Sequence, residues 1–112
     1  MKTVPIPIYG GRLIVCRTRA EFDRAYEAEM VRAGMELVDG PTLLCSGGMT
    51  SHEIVGGELV IVSGVFDRRG GTRAHEATHC AQAVAGSVGM DPIREEEAFA
   101  YLTQWFYEEL AP

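Results

Sequence analysis

The spacing of apolar positions changes along the chain. Leu13, Ile14, Val15 and Cys16 follow the Gly10-Gly11 pair as a short β-prone run, which predicts a strand there. From Thr18 the spacing changes to every fourth residue, with Phe22, Tyr26 and Met30 recurring before Gly34. Thr18 and Glu21 together have the form of a capping box, so a helix is expected from about Arg19 to Ala33, one face against a sheet. Two β-rich runs bounded by glycines follow, "DGPTLLCSGG" and "GGELVIVSGVF". The second predicts the most buried strand of the sheet, and "MTSHEIVGG" between them is expected to be a loop with room for a further short strand.

After Phe66 the polar turn "DRRGG" leads to Thr72, which is placed to cap a helix of good formers from Arg73 to about Gly86. "GSVGMDP" breaks that helix. Asp91-Pro92 then opens a last helix with Glu95, Glu96 and Glu97 in its first turn, where negative charge suits the positive helix end, and the helix is expected to end near Leu110. No repeat, low-complexity tract or linker interrupts the order β, α, a group of strands, α, α. The expectation is one α+β domain over residues 1–112.

Composition narrows the function classes. With 46% apolar residues the chain has the make-up of a soluble globular protein, and it lacks the run of about eighteen apolar residues that a membrane helix needs. The opening "MKTVPIPIYGG" has prolines where a secretory signal has its apolar segment, so a cytoplasmic location is expected and no membrane partner. The net charge of −6 argues against a phosphate backbone as partner, so nucleic acid is not expected. The three cysteines, Cys16, Cys45 and Cys80, are scattered and form no CxxC pair, which fits small reduced hydrophobes rather than a disulfide frame or a thiolate zinc site.

The candidate chemistry lies in "RAHEATHCAQ", residues 73–82. On a helix, His75 and His79 share one face and can converge on one metal ion, while Glu76 stands beside them and is free to act as a base. This is the HExxH arrangement, in which zinc activates a water and the glutamate takes its proton. A catalytic zinc needs a third protein ligand. The position six after His79 is Ala85 and not a third histidine, which excludes the metzincin extension, whereas Glu97 stands eighteen residues after His79 at the start of the next helix.

HEATH followed by Glu97-Ala98-Phe99-Ala100 resembles the HExxH…E pattern of the gluzincins. Most of the chain, from "EFDRA" through "GVFD" and the HExxH helix to "EAFAYL", is also similar to small metallopeptidase-like proteins encoded by phages and prophages. The resemblance implies a minimal zincin-like fold, a small sheet packed on the N-terminal, HExxH and C-terminal helices. It also implies Zn2+ held by His75, His79 and Glu97 and Glu76 as general base. Glu96 is the alternative third ligand. Many gluzincins carry an aspartate four residues after the ligand glutamate. Here that place holds Tyr101, which is either a partner for a ligand or substrate carbonyl or an ordinary packing aromatic.

His52 with Glu53 is expected to be a solvated loop pair and no ligand, and Arg68-Arg69 a solvated turn. The function expected is a zinc-dependent hydrolase, a peptidase acting on a peptide or protein substrate, with "LVIVSGVF" as a cleft wall that holds an extended peptide by β-addition. Little room for deep pockets points to one partner protein as substrate, a homo-oligomer, or work inside a larger phage assembly. The alternative is a non-catalytic phage accessory or virion-assembly protein that keeps the scaffold with a structural metal or none.

Overall fold

Leu13, Val15, Leu59 and Ile61 project to one face of a sheet, and Ile14, Cys16, Val60 and Val62 to the other, and all eight are buried. Such strands are apolar on both sides and must be covered on both sides. A computed structural model of the chain, which describes residues 1–35 and 47–112, meets that requirement with helices on each face. The elements in order are β1 (Lys2–Pro5), β2 (Arg12–Cys16), α1 (Arg19–Arg32), β3 (Gly48–Val55), β4 (Glu58–Val65), α2 (Gly70–Val88) and α3 (Glu96–Glu109). It is an α+β fold with a mixed four-stranded sheet in the order β1-β2-β4-β3.

β1 runs antiparallel to β2 and β3 antiparallel to β4, while β2 and β4 pair parallel, Arg12 opposite Val60 through Cys16 opposite Gly64. The expected strand at Leu13–Cys16 is β2, and the run "ELVIVSGV" forms β4, buried along six consecutive residues as expected. The sequence between the two glycine-bounded runs is a full strand rather than a loop with a short one: β3 starts at Gly48 of the first run and takes the next seven residues, through Val55. β1 was not expected at all, and its Pro5 is tolerated because an edge strand need not donate on its outer side. "DGPTLLCSGG", with Cys45, falls for the most part outside the described residues.

α1 covers the Ile14 face through Phe22 and Ala25. Thr18 caps it by accepting from the Glu21 N–H at 3.1 Å, as the capping box requires, but the Glu21 carboxylate accepts from the N–H of Arg17, one residue before the expected partner. That backbone donor is the first cause holding the Glu21 carboxyl below its ordinary range. Glu29, buried on the same helix, takes Arg12 of β2 and Arg32 at 2.8 Å each, so the burial of its charge is offset by two cations.

α2 and α3 cover the other face. Ala77, Cys80, Ala81 and Val84 of α2 meet Leu13, Val15 and Ile61 below, and Leu102 and Phe106 of α3 alongside. The Arg73 Nε donates to the carbonyl of Tyr107 at 2.6 Å and its guanidinium lies 3.7 Å over that ring, which fixes the two helices antiparallel. Among the described residues no helix is long and apolar enough to cross a membrane.

Candidate active site

α2 begins three residues before the expected Arg73, and Thr72 is not its cap. The turn ahead of it is tied instead by Asp67, whose carboxylate accepts from the N–H of Arg69 at 3.0 Å and from the Thr72 hydroxyl at 2.8 Å. Those two donors, the backbone one first, keep the Asp67 carboxyl below its usual range. Gly70 and Gly71, which look like breakers, fit because the first helical N–H groups need no intrahelical partner. The helix runs on through an alanine-rich stretch and stops at Gly89, whose φ of 72° is the left-handed stop that glycine adopts without strain.

On this helix the two histidines meet. His75 Nε2 and His79 Nε2 lie 3.1 Å apart with their rings edge to face. Two imidazole nitrogens on one tetrahedral zinc, each at about 2.0–2.1 Å, are about 3.4 Å apart, so the pair stands close to that spacing. Both side chains are exposed to a cleft of ≈ 660 Å³ between α2 and β3. Glu76 lines the same cleft but is only 5% exposed.

The burial of Glu76 has a specific partner. The Thr50 hydroxyl donates to Glu76 Oε1 at 2.8 Å, and the Ser63 hydroxyl lies 2.7 Å from the Thr50 oxygen. With the Thr50 proton given to the carboxylate, Ser63 is the donor to Thr50. The thiol of Cys80 sits against both hydroxyls, and burial, with the Glu76 charge adding to it, pushes that thiol up to about 12 in spite of them. It is neither a nucleophile nor a ligand at neutral pH. Oε2 of Glu76 has no hydrogen-bond partner among the described residues and is the oxygen left for the cleft.

Glu97 is exposed in the first turn of α3 and Tyr101 is 67% exposed, and neither lines the cleft. Among the described residues no group of three or more His, Cys, Asp and Glu side chains gathers at metal-binding range. The structure therefore brings His75, His79 and Glu76 together and does not bring Glu97 or Tyr101 to them. Glu95 is the residue that precedes α3, and its carboxylate accepts from the N–H of Asp91 at 2.8 Å. Glu96 is exposed beside it.

Residues of β3 outside the motif also belong to the cleft. Thr50, His52 and Ile54 alternate along β3 and line the wall opposite α2, so His52 is a strand residue at the cleft and not part of a loop. The alternation was the available signal, hidden by reading the segment as a loop. Arg69 lines an adjoining pocket with His75 and Glu76, whereas Arg68, at a left-handed φ of 59°, lines a separate one with Arg17 and Arg73.

β4 is hydrogen-bonded on both sides and has no edge to offer, so the expected β-addition to "LVIVSGVF" is excluded. β3 has the edge. The Phe66 N–H donates to the Gly47 carbonyl at 2.6 Å, and Val55 faces Glu58 across Gly56 and Gly57, whose φ angles are 60° and 81°. Alternation of the antiparallel ladder then turns the main-chain groups of Met49, Ser51 and Glu53 toward β4 and those of Thr50, His52 and Ile54 outward. No described strand covers that side. No protein-family model, curated protein sequence or solved structure matches the chain, so function must be carried by the chemistry of these residues.

Proposed function

We propose that the chain is a zinc-dependent hydrolase, a small metallopeptidase of HExxH…E type on a minimal zincin-like scaffold. The observation that carries this is the pair of imidazoles at 3.1 Å beside a carboxylate that is buried, held by Thr50, and faces the same cleft. Zinc held there would supply a water of lowered pKa and a Lewis acid beside Glu76. His75 and His79 would supply its two nitrogen donors. Glu97 is the third ligand in this reading, which requires the first turn of α3 to approach the histidines when metal is bound.

Glu76 is the general base. Thr50 fixes Oε1, so Oε2 accepts the proton of the attacking water and returns it to the leaving amine. The outward main-chain groups of Thr50, His52 and Ile54 suit an extended peptide laid along β3, which brings its carbonyl past the histidines. A second reading, a non-catalytic phage accessory or assembly protein that keeps the scaffold, is favoured by the exposure of Glu97. Elemental analysis gives the first separation: metal-free protein that rejects added zinc rules out the hydrolase.

The decisive comparison sets the parent beside Glu76→Gln and His79→Ala, with zinc titration, thermal melt and peptide-library digestion near neutral pH. Glu76→Gln should keep zinc and fold while hydrolysis falls by orders of magnitude, and His79→Ala should lose zinc as well. Cleavage by Glu76→Gln at the parent rate would remove Glu76 as the base. Folded variants and parent that all fail to cleave would favour the second reading.

A further inference from the structure

The cleft does not stop at the histidines. Along α2 the residues His75, His79, Ala83 and Gly86 follow one stripe, and all four line it. β3 runs beside that stripe in the same sense, because Thr50 meets Glu76 while Ile54 lines the cleft further on. The four strand steps from Thr50 to Ile54 cover about 13 Å and eight helical steps from Glu76 cover about 12 Å, so Ile54 stands level with Ala83 and Val84. Leu59, the cross-strand partner of Ile54, closes the same end.

This end is apolar and open. Ile54 is 56% exposed in spite of facing the cleft, and a Cβ built on Gly86 meets no atom within 4 Å. The Ser87 hydroxyl, which also lines it, is turned back to the Val84 carbonyl at 2.8 Å and gives the cleft no donor. An extended chain on the outer edge of β3 passes the reactive pair at one end and this apolar end at the other.

We infer that the C-terminal end of the cleft, formed by Ile54, Leu59, Ala83 and Gly86, is a specificity subsite for a large aliphatic side chain of a peptide bound in extended form along β3. The space beside Gly86 is open, and Ile54 supplies the apolar surface that such a side chain covers. The inference rests on the peptidase reading for its substrate class and deepens it by naming the side chain selected.

The test uses two capped pentapeptides, one with a central leucine between alanines and one all alanine, titrated into zinc-supplemented 15N-labelled protein and followed by NMR and by product analysis. The leucine peptide should shift the amide signals of Ile54, Leu59, Ala83 and Gly86 and bind roughly ten- to thirty-fold tighter than the alanine peptide. Gly86→Ala should reduce that preference and Gly86→Leu abolish it. Thermal melts of both variants should be at or above the parent, since alanine and leucine are better helix formers than glycine. Equal affinity for the two peptides, or undiminished leucine binding by folded Gly86→Leu, would overturn the subsite. Leucine-peptide binding at these residues without cleavage would leave the subsite standing and remove the peptidase reading, whereas cleavage of both peptides at equal rates would do the reverse.

Discussion

The hydroxyl of Thr50, on an edge strand, is 2.8 Å from Oε1 of Glu76, on the helix packed over it. A buried carboxylate without such a donor would carry the full cost of desolvation, so this contact both permits the burial and fixes which oxygen faces the cleft. Thr50→Val keeps the shape and removes the donor. Since a hydrogen bond to a charged group is worth about 1.5–3 kcal/mol, kcat/KM should fall about 10- to 100-fold, with zinc affinity little changed. Thr50→Ser should restore most of the rate, which a purely steric role would not allow.

The three adjacent glutamates give a prediction about ligands. On the proposed ligand set, Glu97→Ala should weaken zinc binding by more than the roughly 10- to 100-fold that loss of a ligand's hydrogen-bond partner costs, and Glu95→Ala should leave it nearly unchanged. Loss of zinc on Glu96→Ala instead would shift the ligand by one residue. Competition with a chromophoric chelator measures all three.

Cys80 sets a pH dependence at the alkaline end. Its thiol is raised to about 12 by burial, while in the unfolded chain it ionises near 8.5. The native state therefore keeps a proton that the unfolded state gives up. The stability this group contributes is fully present below the unfolded value and is lost as pH rises from about 8.5 toward 12. Melting temperature against pH should fall more steeply over that window in the parent than in Cys80→Ala, although the variant should be less stable by about 1 kcal/mol at pH 7 for its lost sulfur.

Gly48 is required by the closeness of β3 to α2. A Cβ there would lie 2.7 Å from the Gly64 carbonyl oxygen and 2.9 Å from Glu76 Cγ. Gly48→Ala should destabilise the fold by about 1–3 kcal/mol, lowering the melting temperature by several degrees, and should reduce hydrolysis by displacing Glu76.

How much of this was legible depended on what each signal rests on. The capped helix α1, the buried strand β4 and the helical HExxH were readable because cap chemistry, apolar runs and residue spacing are local. β3 was legible only as room for a short strand, because an edge strand with Thr50, Ser51, His52 and Glu53 in succession buries little and looks like a loop. Missing its full length also concealed the wall of the cleft, the partner of Glu76 and the place of His52. The start of α2 was misread for a related reason: Asp67 accepts from Thr72 across five residues, so the hydroxyl that resembled a cap is a tether.

The parallel pairing of β2 with β4 also bears on how the chain folds. β1 with β2 and β3 with β4 are hairpin pairs whose residues are close in sequence, and each can form by closing a short loop. The ladder that joins them matches Arg12 with Val60 and must close everything between. Loop-closure entropy makes that step the costly one, so the rate-limiting barrier should lie in docking two preformed ribbons rather than in making either. Mutations across the seam, at Leu13 or Ile61, and in the β3–β4 turn, whose hairpin is already made at the barrier, should therefore slow refolding, whereas those at contacts completed only after docking should mainly speed unfolding.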